Sequence, residues 1–171
     1  MKRLIPSAEM TTGPFFPVDF SAGASDLTRV EGKAAAGEVI EISGRVTQLD
    51  GRALDNVLIE IWQADAAGRF DNPDFCGWGR AASDHQGIYR FRTIRPGALP
   101  GRLPHVNLLV LYSGLMRQLQ TAIFFENGKD PVLEAVPASR RALLVAQKVD
   151  ARTFRFDIRL RGEGETPFFD D

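Results

Sequence analysis

Few side chains in this sequence could hold a metal, attack a substrate or move a proton near neutral pH. There are two histidines, His85 and His105, two tyrosines, Tyr89 and Tyr112, and one cysteine, Cys76. His105 and Asn107 stand two apart in an alternating segment, so on a strand they share a face. A His-x-His pair there would be half a metal site, but an amide is a poor transition-metal ligand beside imidazole. His105 therefore reads as a hydrogen-bonded histidine near an interface. His85, in the turn Asp84-His85-Gln86-Gly87, reads as solvated. Cys76 lies between Phe75 and Gly77 with no base beside it and reads as buried or interfacial packing. The acid pairs Asp71 with Asp74 and Glu163 with Glu165 fall in loops and read as solvated surface. A single cysteine forms no internal disulfide and no cysteine-based zinc site. There is no phosphate loop, dinucleotide fingerprint or Gly-x-Ser-x-Gly elbow. Spacing alone shows no complete active site.

The elements that must position these residues are strands. Ile40, Ile42 and Val46 alternate with Glu41, Ser43, Arg45 and Thr47, and Asp50-Gly51 closes that run as a turn. Further inward sets are Val57, Ile59 and Ile61; Tyr89, Phe91 and Thr93; Val106, Leu108, Val110 and Tyr112; Leu119, Thr121, Ile123 and Phe125; and Phe154, Phe156, Ile158 and Leu160. This pattern predicts an all-β chain, a β-sandwich of short mixed or antiparallel strands with an N-terminal arm and one short helix. The helix is expected over Pro137 to Gln147. The long stretch from Ala64 to Arg80 and the link from Pro96 to Gly101 read as irregular loops. Residues 1–37 read as an extended arm and residues 38–171 as the sandwich domain. Within the arm, Thr11-Thr12-Gly13-Pro14-Phe15-Phe16-Pro17 is stiff and apolar. It suits either packing on its own domain or reaching a partner or pocket.

Composition narrows the function classes. A chain of 171 residues fits one domain able to bury roughly 70% of its unfolded surface. Twenty-one Lys and Arg against 22 Asp and Glu give a net charge of −1, which removes the electrostatic case for nucleic-acid or anionic-membrane binding. No apolar run approaches the ~20 residues of a membrane span. Met1 to Ala8 lacks the apolar core of a secretory signal, so a cytoplasmic location is expected.

Several segments carry a family resemblance. Gly44-Arg45-Val46, Ile61-Trp62-Gln63-Ala64-Asp65-Ala66-Ala67-Gly68, Gly79-Arg80 and Gly87 to Gly97 occur in order and resemble intradiol ring-cleavage dioxygenases. The arm segment Thr11-Thr12-Gly13-Pro14-Phe15 and the stretch from Phe154 to Asp170 are similar to the α-type chains of the heteromeric, protocatechuate-cleaving members of that family. The resemblance implies a β-sandwich and a non-haem ferric iron, Fe(3+), held by two tyrosines and two histidines. In this sequence Leu99 stands at one tyrosine position, and His105-Val106-Asn107 stands where His-x-His is expected. Phe70 lies nearest the other tyrosine position, so only His105 remains of the ligand set. The implied role is a chain with no metal and no catalytic residues of its own. The iron would belong to a homologous β subunit within a higher-order heteromer, acting on protocatechuate and O2. The resemblance places Thr11, Gly13 and Pro14 in the wall of the partner's pocket. An arginine near the substrate carboxylate is implied at Ser113, and Arg117, four residues on, is the nearest candidate. Arg102 matches an arginine just before the ligand histidines and is read as a vestige or a structural residue. Two other readings stay open: a non-catalytic interaction module, and a self-sufficient iron enzyme for another catechol.

Overall fold

The computed structural model describes residues 11–13 and 16–169. Among the described residues eleven strands run in chain order: β1 Arg29–Val30, β2 Lys33–Ala34, β3 Val39–Thr47, β4 Leu58–Gln63, β5 Trp78–Ala82, β6 Ile88–Ile94, β7 His105–Leu111, β8 Leu119–Phe124, β9 Gln147–Lys148, β10 Thr153–Arg155 and β11 Ile158–Arg159. One antiparallel sheet has the order β5-β4-β7-β8. In the other, β3 is central, with β6 antiparallel on one side and β10 and β11 parallel on the other. The inward residues of both sheets form one core, including Ile40, Ile42, Ile59, Phe91, Leu108 and Phe154. The period-two pattern is thus the face pattern of a sandwich. Among the described residues no helix is long and apolar enough to cross a membrane.

Three local readings differ from the structure. The segment expected as a helix from Pro137 forms a 3-10 helix over Ala138–Leu144, while the α-helix, α1, spans Pro131–Ala135. α1 starts at Asp130, whose side chain accepts the Val132 amide as an N-cap, with Pro131 at the first helical position, whereas Pro137 makes no side-chain cap bond for the segment after it. The stretch read as loop to Arg80 already enters β5 at Trp78, paired across to Trp62. The arm is not featureless: it holds the β1-β2 ladder, and Leu27 and Ala35 are buried in the main core.

Gly44 is required for the join between β3 and the β10–β11 segment. It lies on the core face of β3, and a Cβ there would sit 1.8 Å from the Phe156 carbonyl oxygen and 2.9 Å from the Tyr89 ring. That carbonyl accepts the Tyr89 hydroxyl at 2.5 Å, and the Phe156 amide donates to Ser43 at 2.8 Å. Burial pushes the Tyr89 phenol far above its ordinary range, so it stays a donor. Gly44→Ala is expected to cost about 3 kcal/mol or more, because backbone rather than a flexible side chain must move. A melting point lowered by about 10 °C would register it; an unchanged melting curve would contradict the close approach.

Candidate functional site

The outer face of the β5-β4-β7-β8 sheet carries Asn107, one of the residues that the sequence singled out. Register sets two rows across it: Trp78, Trp62, Asn107 and Ala122, then Arg80, Glu60, Leu109 and Gln120. Trp62, Trp78, Asn107, Gln118, Gln120 and Phe169 contribute to a groove of about 290 Å³. Phe70 stacks flat on Trp62, with ring centroids 5.8 Å apart and planes within 8°. Trp62 is 45% exposed, Phe70 44% and Trp78 37%, a heavy apolar load for one sheet face left in water.

His105 lies at the end of the same face, but it is buried beside the Phe124 ring. Its Nδ1 donates to the Leu103 carbonyl at 2.7 Å, which fixes the tautomer through a backbone acceptor. Burial pushes its pKa below the ordinary 6.5; the Leu103 bond and Asp130 work upward, and Arg102 works downward. The imidazole is therefore neutral at pH 7. Leu99, half-buried, forms an isolated bridge with Arg102. Arg102 is structural: its Nε donates to Asp130 at 2.8 Å, and the same carboxylate accepts the Leu103 and Val132 amides. One buried acid thus locks the turn before β7 to the start of α1.

This hub has a pH signature. Burial pushes Asp130 up, but the Arg102 and amide bonds outweigh it and hold the acid below 3.8. A carboxylate with a depressed folded pKa stabilises the fold above its unfolded pKa and loses that contribution as pH falls through the folded value. His105, also depressed, costs stability as pH falls below 6.5, because the unfolded imidazole takes the proton first. Urea unfolding is therefore expected to show a gentle loss starting below pH 6.5 and a second loss below about pH 4. Asp130→Asn should lower stability by about 2 kcal/mol at pH 7 and flatten the second limb. An unaltered pH profile in that variant would refute the hub.

The residues matched to the iron ligands do not make a metal site. Phe70 and Leu99 offer hydrocarbon, Asn107 an amide and His105 a single imidazole. Among the described residues no cluster of three or more His, Cys, Asp or Glu could hold a metal ion. Ferric iron favours anionic oxygen and imidazole donors, and this set does not fit it.

The residues expected to face a partner behave differently. Thr11 is pinned to the connection between β7 and β8: the Gly114 amide donates to its hydroxyl at 2.8 Å, and the hydroxyl donates to the Tyr112 carbonyl at 3.2 Å. Arg117 is exposed on that same connection. Gly13 has φ +74°, and among the described residues a Cβ there would meet nothing within 4 Å. Pro14 lies outside the described residues, as does Phe15. Phe16 lies under the Arg80 guanidinium, which also covers Trp78 and donates from Nε to Glu60 at 2.8 Å. The arm is thus attached at two points to the edge of the aromatic face.

In the long loop Phe75 belongs to the chain's own core, and Cys76, read as buried or interfacial packing, is not buried within this chain. Sequence reasoning missed Asp65, which organises this loop by accepting the Ala67 and Arg69 amides, the Arg69 guanidinium and the Asn72 amide. It also missed Trp62 as an exposed platform, although alternation from Ile59 and Ile61 put Trp62 on the outer face.

The dioxygenase family matches over residues 11–104. The chain is 32% identical to the protocatechuate 3,4-dioxygenase alpha chain of Burkholderia cepacia, over 99% of this chain and 100% of that one. It is also 32% identical to the beta chain of the same organism's enzyme, over 97% of this chain and 85% of the other. The dioxygenase domain of a dioxygenase–carbohydrate-binding protein fusion from Streptomyces sp. SirexAA-E superposes with a TM-score of 0.63 at 24% identity, covering 92% of this chain and 99% of that one. The last of these speaks to the fold.

Proposed function

The chain belongs to the intradiol dioxygenase family, and from that premise we propose that it is the iron-free, alpha-type subunit of a heteromer that cleaves protocatechuate. In the proposed reaction protocatechuate and O2 give 3-carboxy-cis,cis-muconate, both oxygen atoms entering the product. The iron belongs to a homologous beta-type partner. This chain supplies a pocket wall through Thr11, Gly13 and Pro14, with Arg117 as the candidate cation for the substrate carboxylate, and it supplies assembly contacts. The observation that carries the reading is a contrast within one chain. Leu99 and Asn107 stand where the resemblance implies iron ligands, while the arm is anchored through Thr11 and Phe16. Decay of a site with retention of its rim suits a chain that serves its neighbour's chemistry.

The exposed Trp62, Phe70 and Trp78 suit the same reading, since aromatics favour interface cores. The test is co-expression with the homologous iron-bearing chain of the same organism. A stable complex that consumes oxygen with protocatechuate is expected, while neither chain alone does so at a comparable rate. A complex that forms but is inactive would favour an interaction module. A chain active by itself would favour a self-sufficient enzyme.

A further inference from the structure

A second concavity lies on the outer face of the other sheet, away from the tryptophan face. Its volume is about 730 Å³, and Ser43, Arg45, His85, Arg90, Arg155 and Asp157 are among its lining residues. Register places Arg90 on β6 and Arg155 on β10 on either side of Ser43. Arg45 is two residues further along β3 and so shares the face. We propose that this concavity binds small di- or tricarboxylate anions.

The arginines are held in place from behind. Arg45 Nε donates to the Gln86 carbonyl at 3.0 Å, while its backbone amide donates to Asp157 at 2.9 Å. Arg155 makes a two-point contact with Asp157, at 3.0 Å through Nε and 2.7 Å through its terminal nitrogen. Arg90 lies 3.8 Å from Asp84, whose other oxygen accepts the Gln86 and Ile88 amides. Within the lining the charges are therefore three guanidiniums, with His85 at the rim, against Asp157, with Asp84 behind Arg90; Glu41, two residues back along β3, lies on the same face outside this lining. Asp84 and Asp157 are already engaged, and among the described residues Arg45 has no carboxylate partner. The surplus is cationic and pre-oriented.

Spacing selects the ligand. Neighbouring strands lie about 4.8 Å apart, so the backbones carrying Arg90 and Arg155 are about 10 Å apart across β3. One phosphate could draw all three arginines together only by pulling them off Gln86, Asp157 and Asp84. A flexible anion with carboxylates several bonds apart can reach them where they stand, and each planar carboxylate matches a guanidinium edge. The Ser43 hydroxyl on the floor adds a donor.

Citrate is the probe, titrated into the purified chain by calorimetry, with acetate and inorganic phosphate at matched ionic strength as controls. Saturable citrate binding with a dissociation constant of about 1 mM is expected, because exposed charge pairs are individually weak. Acetate and phosphate should bind at least about tenfold more weakly. Arg45→Gln and Arg90→Gln should each weaken citrate about fivefold, and Ser43→Asp should abolish binding by placing a negative charge on the floor. All three sites face solvent to some degree, and circular dichroism checks that the variants fold. Equal response to citrate and phosphate, or wild-type citrate binding in all three variants, would overturn the proposal. The test needs neither iron nor partner, so its failure leaves the functional reading intact.

Discussion

Purified alone from iron-replete cells, the chain is expected to carry no stoichiometric iron and to lack the visible absorption of tyrosinate bound to ferric iron. The argument runs through donor chemistry. Leu99 presents no lone pair, and Asn107 presents an amide oxygen or nitrogen on the outer face of β7. Neither of the two tyrosines, Tyr89 and Tyr112, stands at a matched ligand position. Tyr89 is buried in the main core, with its hydroxyl donated to Phe156, and the backbone carbonyl of Tyr112 accepts Thr11. His105 has Nδ1 committed to Leu103, leaving one imidazole nitrogen, and one nitrogen cannot hold ferric iron against water. In the complex, iron is expected at one per pair of chains. Replacing His105 by Gln should leave that iron content unchanged, with stability read separately by melting. Stoichiometric iron in the isolated chain, or iron lost from the complex in His105→Gln at full assembly, would overturn the assignment of the metal to the partner.

The strands were legible because burial in a sandwich imposes a period of two on the sequence, as in β3 and β6. The same alternation, with Val106 and Leu108 inward, puts Asn107 on the outward face of β7. Short-range capping is legible in principle: Asp130-Pro131 is an N-cap followed by a first-turn proline, and it starts the α-helix ahead of the 3-10 turn that follows Pro137. What could not be read was contact across long separations. Nothing in the order of residues says that Asp130 closes on Arg102, or that Phe16 comes to lie under Arg80. The aromatic face has the same origin. Trp62 and Phe70 stack because Asp65 folds the loop between them back onto β4, through amides whose partners are fixed only once the turn exists.

The arm gives the other large effect. Gly13→Val in the assembled complex is expected to lower kcat/KM for protocatechuate by up to about 100-fold, with iron content and assembly near wild type. Two causes must be separated. At φ +74° a β-branched residue is strained wherever it sits, and strain alone could shift the arm. Among the described residues a Cβ at Gly13 meets nothing within 4 Å, so a clash at that first side-chain atom comes from the partner or the substrate. Gly13→Asn separates them, because asparagine tolerates the left-handed region while still adding bulk. A pocket-wall role predicts that Asn and Val are both severe. A purely conformational role predicts that Asn is close to wild type. Thr11→Val supplies the third comparison: it removes both bonds to the Tyr112–Gly114 turn, so the wall should loosen and KM rise more than kcat falls. If all three variants keep wild-type kinetics in an intact complex, the arm does not reach the pocket, and the proposed roles of Thr11, Gly13 and Pro14 fail together.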